Sequence, residues 1–437
     1  MNNYIWNILG YKLKCSINEL NYIKSLPKEL FDNHIKTKRN EIYQFHLKNN
    51  KWYRRFVGRK EIINWEDIPL IRKQDLQFFS DNKKIKWYDR KKYYFANTSG
   101  SSGHPLTFWK NKFCHSIAWA NIINSYSDLG ITSADIEGRF FGSIKHSYKY
   151  KIRERIKDAL FNRIRFDVFD ISDNKMDEYI SIFCNNNIGY IYGYTNVILE
   201  FSRYIIRKKA FTIKNICPSL KLCILTAEMC IESDKEVINK AFGVPVYNEY
   251  GSSETSIVAI EDMAYNWRIS TERLWVEILD ENNQPVKEGE LGNIVITDLY
   301  NEAFPFIRYD IGDIASIQKI ANYPYLLLDD LWGRISDIIL LPSGKRSPGL
   351  TFYYVLRTIL DQKISIKEFK IIQQDYNYFI FIIQASIKLK EQEERVILEA
   401  VDHYLESGLI IKFKYVDKID EKYSNKIQNF FSNIHSK

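Results

Sequence analysis

None of the six cysteines, Cys15, Cys114, Cys184, Cys217, Cys223 and Cys230, stands in a CxxC pair, and their density is far below that of a disulfide scaffold. Free thiols in a reducing compartment are expected. Cys217, Cys223 and Cys230 lie close in sequence, but no nearby histidine completes a ligand set, so they read as small buried hydrophobes. No apolar run approaches the length of a bilayer span; the longest covers residues 378–383. The first twenty or so residues alternate apolar and polar side chains and lack the basic start and continuous apolar stretch of a secretory signal. Internal repeats and low-complexity segments are absent. Basic residues occur in short clusters, such as Lys83-Lys84, Arg90-Lys91-Lys92, residues 149–157 and Arg207-Lys208-Lys209, and give a net charge of +8. They form no single stripe with interleaved aromatics, so they read mainly as solvated faces and no nucleic-acid partner is expected. These absences predict a soluble, cytoplasmic protein with no transmembrane segment.

The 437 residues, 45% of them apolar, suffice for one large domain and a smaller one, each with a core. Residues 1 to about 92 read as helical and irregular. "KKYYFA" and "LTFW" read as two strands flanking the loop "NTSGSSGHP", and a helix is expected over residues 114–129. Between residues 139 and 250, apolar runs such as "IGYIYGY", "LKLCILTAE" and "VPVYNEYG" alternate with helical stretches, the pattern of a mostly parallel α/β sheet. Closer-spaced strands follow, "RLWVEILD", "GNIVITDL" and "IASIQ", with a turn at Asp280-Glu281-Asn282-Asn283. The last hundred residues read as a separate β-β-α-β unit. Its helix carries Ile397, Ala400, Val401, Tyr404 and Leu405 on one face, and "IIKFKYVD" is its closing strand.

Four segments carry chemistry. In "NTSGSSG", Thr98, Ser99, Ser101 and Ser102 supply hydroxyls, while Gly100 and Gly103 let backbone N–H groups converge on phosphate oxygens. It is not a Walker loop, since no Gly-Lys-Ser/Thr closes it and a strand follows. Taken alone it fits a flexible turn equally well. In "YNEYGSSE", Tyr250 could stack on a nucleobase and Glu254 could hold Mg2+ beside phosphate oxygens, or the segment is a polar strand end. In "FPFIRYDIGD", Asp313 could accept hydrogen bonds from a ribose diol, or the segment is a strand and turn with a salt-bridged Arg308. In "LWGRISDII", Arg334 could pair with a ribose or phosphate oxygen, and Gly333 suits a hinge.

In this order and spacing the four segments resemble the adenylate-forming superfamily of acyl-CoA ligases and adenylation domains. Within it they resemble the phenylacetate-CoA ligase group, which includes the CapK-like proteins of surface-polysaccharide gene clusters. The resemblance covers roughly residues 90 to 437 and extends to "YSNKIQNFF", which is similar to a lysine motif. It implies an α/β, adenylate-forming (ANL-type) fold, with a large N-terminal α/β domain over residues 1–333 and a small, mobile α+β C-terminal lobe over residues 334–437. It also implies roles. Thr98, Ser99, Gly100, Ser101, Ser102 and Gly103 would wrap the ATP phosphates. Tyr250 would stack on adenine, with Gly251 lining the pocket. Ser253 would reach the α-phosphate and Glu254 would hold Mg2+. Asp313, helped by Arg334, would bind the ribose, and Lys426 would stabilise the adenylation transition state. The acid pocket would lie around Gly142, Ser143, His146, Tyr192, Gly193, Tyr194 and Ala227.

Three positions depart from the pattern: His104 follows Gly103, Ser336 stands at the hinge, and Asn425 precedes Lys426. Residues 250–313 contain no Cys or His, so no zinc site is expected there. The implied reaction is attack of a carboxylate on the α-phosphate of ATP to give an acyl-AMP. A hydroxyl-lined loop, Mg2+ and an ammonium suit the charge that develops. Acyl transfer to an amine or thiol would follow, the thiol including coenzyme A, in surface-polysaccharide biosynthesis. The alternatives are an aryl- or acyl-CoA ligase and a non-catalytic nucleotide-binding homologue.

Overall fold

The computed structural model describes residues 10–58, 64–82, 89–98, 105–141, 148–168, 170, 172–228, 230–319, 326–334, 338–348, 351–352, 355, 366–385, 388–417, 419 and 430–434. Helices α1 (Leu13–Ser25), α2 (Lys28–Asn49), α3 (Lys51–Val57) and α4 (Lys73–Asn82) open the chain. In α2 the apolar face Phe31, Ile35, Ile42 and Tyr43 is buried, which orients the layer against the rest of the molecule. Strands β1 (Tyr93–Asn97) and β2 (Thr107–Asn111) form an antiparallel hairpin, with Asn97 opposite Thr107. Helix α5 (Lys112–Asp128) follows directly, within two residues of the predicted bounds. It buries Cys114, Ile117, Ala118, Ala120, Asn121 and Asn124 on several sides, because it lies between other layers.

The large sheet begins with β3 (Ile136–Phe140), β4 (Arg163–Arg165), β5 (Ile188–Tyr194), β6 (Leu222–Thr226) and β7 (Val246–Ser252). They lie in the order β4-β3-β5-β6-β7 and are all parallel. Helices α6 (Tyr148–Leu160), α7 (Asp173–Asn185), α8 (Thr195–Lys208) and α9 (Glu232–Phe242) supply the crossovers that parallel neighbours require. Alternation sorts the two faces. Ile191, Cys223, Leu225 and Val246 enter one core with α7, α8 and α9. Tyr190, Leu222, Ile224 and Tyr247 face the other way, where Ile122 and Tyr126 of α5 cover them.

Beyond β7 the sheet turns antiparallel through β8 (Ser256–Glu261), β9 (Trp267–Ile269), β10 (Leu274–Leu279), β11 (Gly292–Asp298), β12 (Tyr309–Lys319) and β13 (Leu326–Arg334). Their order is β7-β8-β9-β13-β12-β11-β10. The turn after β10 forms as expected: the Asp280 side chain accepts from the backbone N–H groups of Asn282 and Gln284, and Asn283 is left-handed. One correction concerns β12. It begins at Tyr309, five residues before the expected "IASIQ" strand, so the ribose-type motif is itself part of the sheet.

The C-terminal lobe comprises a hairpin of β14 (Ile338–Leu340) and β15 (Arg346–Pro348), then β16 (Ile366–Asp375), β17 (Tyr378–Ala385), α10 (Glu391–Tyr404), β18 (Ile410–Val416) and β19 (Phe430–Ser432). Its sheet order is β18-β17-β16-β19. The expected β-β-α-β unit is present but gains a fourth strand, β19, parallel to β16. Phe430 is buried there with Phe379, Phe381 and Ile383, and α10 adds Ile397, Ala400 and Val401 to the same core. Gln373 is fully buried because its amide joins three segments: it donates to the Leu340 carbonyl at 2.6 Å and accepts from the Ser432 hydroxyl at 3.3 Å.

The N-terminal layer is fastened to β12 by Arg308, 1% exposed and left-handed at φ 45°. Its Nη1 donates to the carbonyls of Glu66 at 2.5 Å and Ile68 at 2.6 Å, and its Nε lies 3.4 Å from Glu277 Oε1. Trp65 Nε1 donates to the other Glu277 oxygen at 3.0 Å. A backbone bridge completes the join: Ile71 N donates to Arg308 O, and Asp310 N donates to Ile71 O, each at 2.9 Å. Removing one partner of a buried ion pair strands the other. Arg308→Met should therefore lose about 3–5 kcal/mol in urea unfolding. Adding Glu277→Leu should recover at least about 1 kcal/mol of that loss. Simply additive losses would show that the pair does not act as a unit.

Candidate active site

Two of the sequence motifs converge through reciprocal tyrosine–carboxylate bonds. Tyr250, on β7, donates its hydroxyl to Asp313 Oδ2 on β12 at 2.6 Å. Tyr309, at the start of β12, donates to Glu254 Oε1 just after β7 at 3.2 Å. Each motif thus provides one tyrosine and one carboxylate to the other. Asp313 stands directly opposite Arg334 in the β12–β13 ladder. Gly312, left-handed, donates its N–H to Asp310 Oδ1 at 2.9 Å, a turn that carries the chain into Asp313.

Gly251 is required by close approach, since a Cβ there would lie 2.4 Å from the Ser256 carbonyl oxygen. The turn beyond it exposes Ser253 and buries Glu254 and Thr255. Beneath Glu254 lies a buried ionic group, Lys110, Arg273 and Asp298, each 1–2% exposed. Arg273 donates to the Thr255 carbonyl at 2.7 Å and lies 3.5 Å from Asp298. Burial holds the Lys110 ammonium below its ordinary pKa. At the base of the hydroxyl-rich loop, Thr98 N donates to Leu106 O, and Leu106 N donates to the Thr98 hydroxyl oxygen at 2.9 Å. The two bonds extend the β1–β2 ladder and close the loop's mouth.

A second polar group lies on the faces of β3, β5 and β7, with Glu249 level with the carboxyl ends of β5 and β6 and Glu137 near the amino end of β3. Glu249 is half-buried and accepts from Tyr126 of α5 at 2.8 Å and from Tyr192 of β5 at 3.1 Å. Glu137 accepts from Arg139 at 2.6 Å, Arg163 at 2.8 Å and Tyr190 at 3.2 Å. Tyr194 stacks on Phe141 with centroids 4.3 Å apart. On the next strand end Ala227 is left-handed at φ 73°, a conformation uncommon outside glycine. Its neighbour Glu228 accepts from the backbone N–H of Asn196 at 2.7 Å, in the first turn of α8. Burial pushes the carboxyls of both Glu249 and Glu228 up to about 7.

The fold has known counterparts. No protein-family model matches the chain. It is 24% identical over 434 residues to Protein CapK of Staphylococcus aureus, covering 95% of this chain and 90% of that one. A phenylacetate-coenzyme A ligase of Thermus thermophilus is 27% identical over 131 residues, covering 28% of this chain and 29% of the ligase. Among solved structures, 2-hydroxyisobutyryl-CoA ligase in the postadenylation state with R3-HIB-AMP superposes with a TM-score of 0.71 at 17% identity. That match covers 95% of this chain and 92% of the ligase. Along nearly its whole length the chain is similar to CapK, and its fold is that of the adenylate-forming ligases.

The sequence-predicted residues divide three ways. Tyr250, Gly251, Ser253, Glu254 and Asp313 come together around β7 and β12. Tyr192 and Tyr194 lie near the end of β5 and Ala227 just past β6, while Thr98 stands at the base of its own loop after β1. Ser99, Gly100, Ser101, Ser102, Gly103, Gly142, His146 and Lys426 lie outside the described residues, and for Arg334 only the backbone is described. Sequence reasoning missed Tyr126, Glu137, Arg139, Glu228, Glu249 and Tyr309. Glu249 and Tyr309 lie inside quoted motifs, where strand alternation could have raised them; Tyr126 carries no local signal.

The raised Glu249 carboxyl has a consequence for stability. Between its ordinary pKa of 4.5 and about 7, the native state keeps a proton that the unfolded chain has lost. Its contribution is therefore complete below pH 4.5 and lost as pH rises through 7. Glu249→Gln removes that dependence. The melting temperature of the variant relative to the parent should rise steadily from pH 5 to pH 8. A difference independent of pH would mean that Glu249 is already ionised at pH 5.

Proposed function

We propose that the protein activates a carboxylic acid with ATP as an acyl-AMP, releasing pyrophosphate, and passes the acyl group to an amine or thiol. The observation that carries this reading is the reciprocal pair Tyr250–Asp313 and Tyr309–Glu254, which brings an aromatic ring and two carboxylates from separate motifs to one place. In the reading, Asp313 with Arg334 holds the ribose, the Tyr250 ring covers the adenine beside Gly251, and residues 98–103 with Ser253 hold the phosphates. A Mg2+ ion fits Glu254. Among the described residues only its Oε1 is engaged, and a single carboxylate plus substrate phosphates is a usual Mg2+ ligand set. When bound, the ion would neutralise phosphate charge. Lys426 supplies the ammonium at the α-phosphate. The division falls between residues 1–333 and 334–437: β13 ends at Arg334 and the first lobe strand begins at Ile338, so rotation of the lobe would pivot beside the ribose site.

The similarity to CapK along nearly the whole chain favours surface-polysaccharide biosynthesis with an amine acceptor. The likeness to 2-hydroxyisobutyryl-CoA ligase favours a second reading, a CoA ligase. Incubation with ATP, an activated acid and micromolar coenzyme A separates them: the first predicts little acyl-CoA, and rapid saturable formation would establish the second.

Acid-dependent exchange of pyrophosphate into ATP tests the central claim, and its absence across a broad acid panel would leave a non-catalytic nucleotide-binding homologue. Lys426→Ala should lower the exchange rate by roughly 10²-fold, the scale of one lost transition-state donor. The second half-reaction, started from acyl-AMP, should be much less affected. Asp313→Ala should raise the ATP KM by about ten-fold, as expected for a charge-assisted hydrogen bond of roughly 1.5–3 kcal/mol. Tyr250→Phe keeps the ring and should cost only a few-fold, since roughly 1 kcal/mol accompanies an ordinary hydrogen bond. An unchanged ATP KM in Asp313→Ala would remove Asp313 from the ribose site.

A further inference from the structure

The parallel half of the large sheet runs β4-β3-β5-β6-β7, so the strand order reverses between β3 and β5. In open α/β sheets of this kind the crevice at the carboxyl ends of the strands flanking the reversal binds ligands. Here those ends are Phe140 and Tyr194. Register puts Glu249 level with Tyr194 at that crevice and, on the same face, sets Glu137 and Tyr190 deeper, toward the amino ends of β3 and β5. Arg139 pairs with Tyr192 and Glu137 with Tyr190 across β3 and β5; Tyr194 pairs with Thr226, and Thr226 with Glu249, across β5, β6 and β7. Tyr126 of α5 closes the same face.

The hydrogen-bond accounting there is one-sided. Tyr126 and Tyr192 spend their hydroxyl protons on Glu249. Arg139 Nη1, Arg163 Nε and the Tyr190 hydroxyl each donate one bond to Glu137. The Arg139 guanidinium also lies over the Phe141 and Tyr192 rings, at 5.1 Å and 5.0 Å. What remains toward a ligand at Glu249 is lone pairs: those of its carboxylate and of the two phenolic oxygens. Among the described residues the cation that acts on Glu249 is Arg139, at longer range than an ion pair, since its contact bond goes to Glu137. Such a surface rejects a hydrocarbon, because burying it would strip water from a carboxylate and return nothing. It accepts a group that donates hydrogen bonds. The Phe141–Tyr194 stack beside it offers flat apolar surface for a compact carbon skeleton. Glu249 is also the residue before Tyr250, so an acid held here lies next to the motif proposed for the nucleotide.

We propose that Glu249, held by Tyr126 and Tyr192, selects a carboxylic acid that carries a hydrogen-bond donor, an ammonium or hydroxyl group, away from the carboxylate being activated. Aryl and alkyl acids of equal size are rejected. The assignment rests on the acid-activation reading and sharpens it. Burial that keeps the Glu249 carboxyl up at about 7 fits a site whose charge is completed by a bound donor.

Pyrophosphate exchange with matched acids tests it. 4-Hydroxybutyrate and 4-aminobutyrate are compared with pentanoate, and glucuronate with cyclohexanecarboxylate. Donor-bearing acids should exceed their apolar partners by at least about 10-fold in kcat/KM, since a site built to hydrogen-bond a substrate group discriminates strongly against its absence. Glu249→Leu should abolish or invert that ratio through the acid KM while the ATP KM stays put. Tyr192→Phe should weaken it in the same direction, and serves if the leucine variant fails to fold. Exchange with the apolar acids alone, or a ratio unchanged in Glu249→Leu, overturns this proposal and leaves acid activation standing. Binding of ATP without exchange for any acid of either class overturns acid activation, and the pocket assignment with it.

Discussion

A guanidinium shut away from water organises the centre of this molecule. Arg308 is almost wholly buried, and an unpaired charge in that position would cost several kcal/mol. Its partners come from elsewhere in the chain: two carbonyls from the segment after α3, 240 and 242 positions earlier, and Glu277 from β10. The N-terminal helices contain none of the chemistry-bearing motifs, yet without them the arginine would have no carbonyls to donate to. Arg39 strengthens the join by lying between Trp65 and Trp275, at 4.2 Å and 4.3 Å from the two rings. The left-handed turn at Arg308 then sets where β12 begins. Tyr309 follows at once and reaches Glu254, and four residues further Asp313 receives Tyr250.

Strand β7 divides the site. Its side chains alternate, so Tyr247 and Glu249 belong to the face covered by α5, while Tyr250 turns toward β12. The two sides differ in chemistry. Toward β12, carboxylates are tethered by tyrosines and backed by the buried Lys110, Arg273 and Asp298. Toward α5, a half-buried carboxylate accepts from two phenols, while the nearby arginines make their ion pairs with Glu137. Two adjacent residues of one strand therefore meet two different environments without any change in backbone.

What could be read from the sequence followed from local order. Apolar runs marked β5, β6 and β7 because fully buried parallel strands leave such runs, and helical spacing in α10 marked its buried face. The nucleotide-type motifs were legible because their residues are contiguous. Features held by distant partners were not. Tyr126 and Glu249 are 123 positions apart, and nothing near either one announces the other. The early start of β12 depends on the backbone bridge from Ile71, which local pattern cannot supply. The short strand β19 exists because Phe430 completes a core built mainly by β16, β17 and α10; three residues alone give no periodicity to detect.

The same alternation bears on how such a scaffold can change its substrate. Residues 247 and 249 face α5, and residue 250 faces the bond to Asp313. A substitution at 249 alters the crevice proposed for the acid while the Tyr250–Asp313 bond keeps its geometry, because the ladder to β6 and β8 is made by the backbone. The converse does not hold for Gly251, where any Cβ would strike the Ser256 carbonyl and distort the hairpin that carries both Glu254 and Tyr250. Freedom to vary is thus confined to one face of the strand. The other face, and the glycine that ends it, are fixed by the demands of the β7–β12 junction.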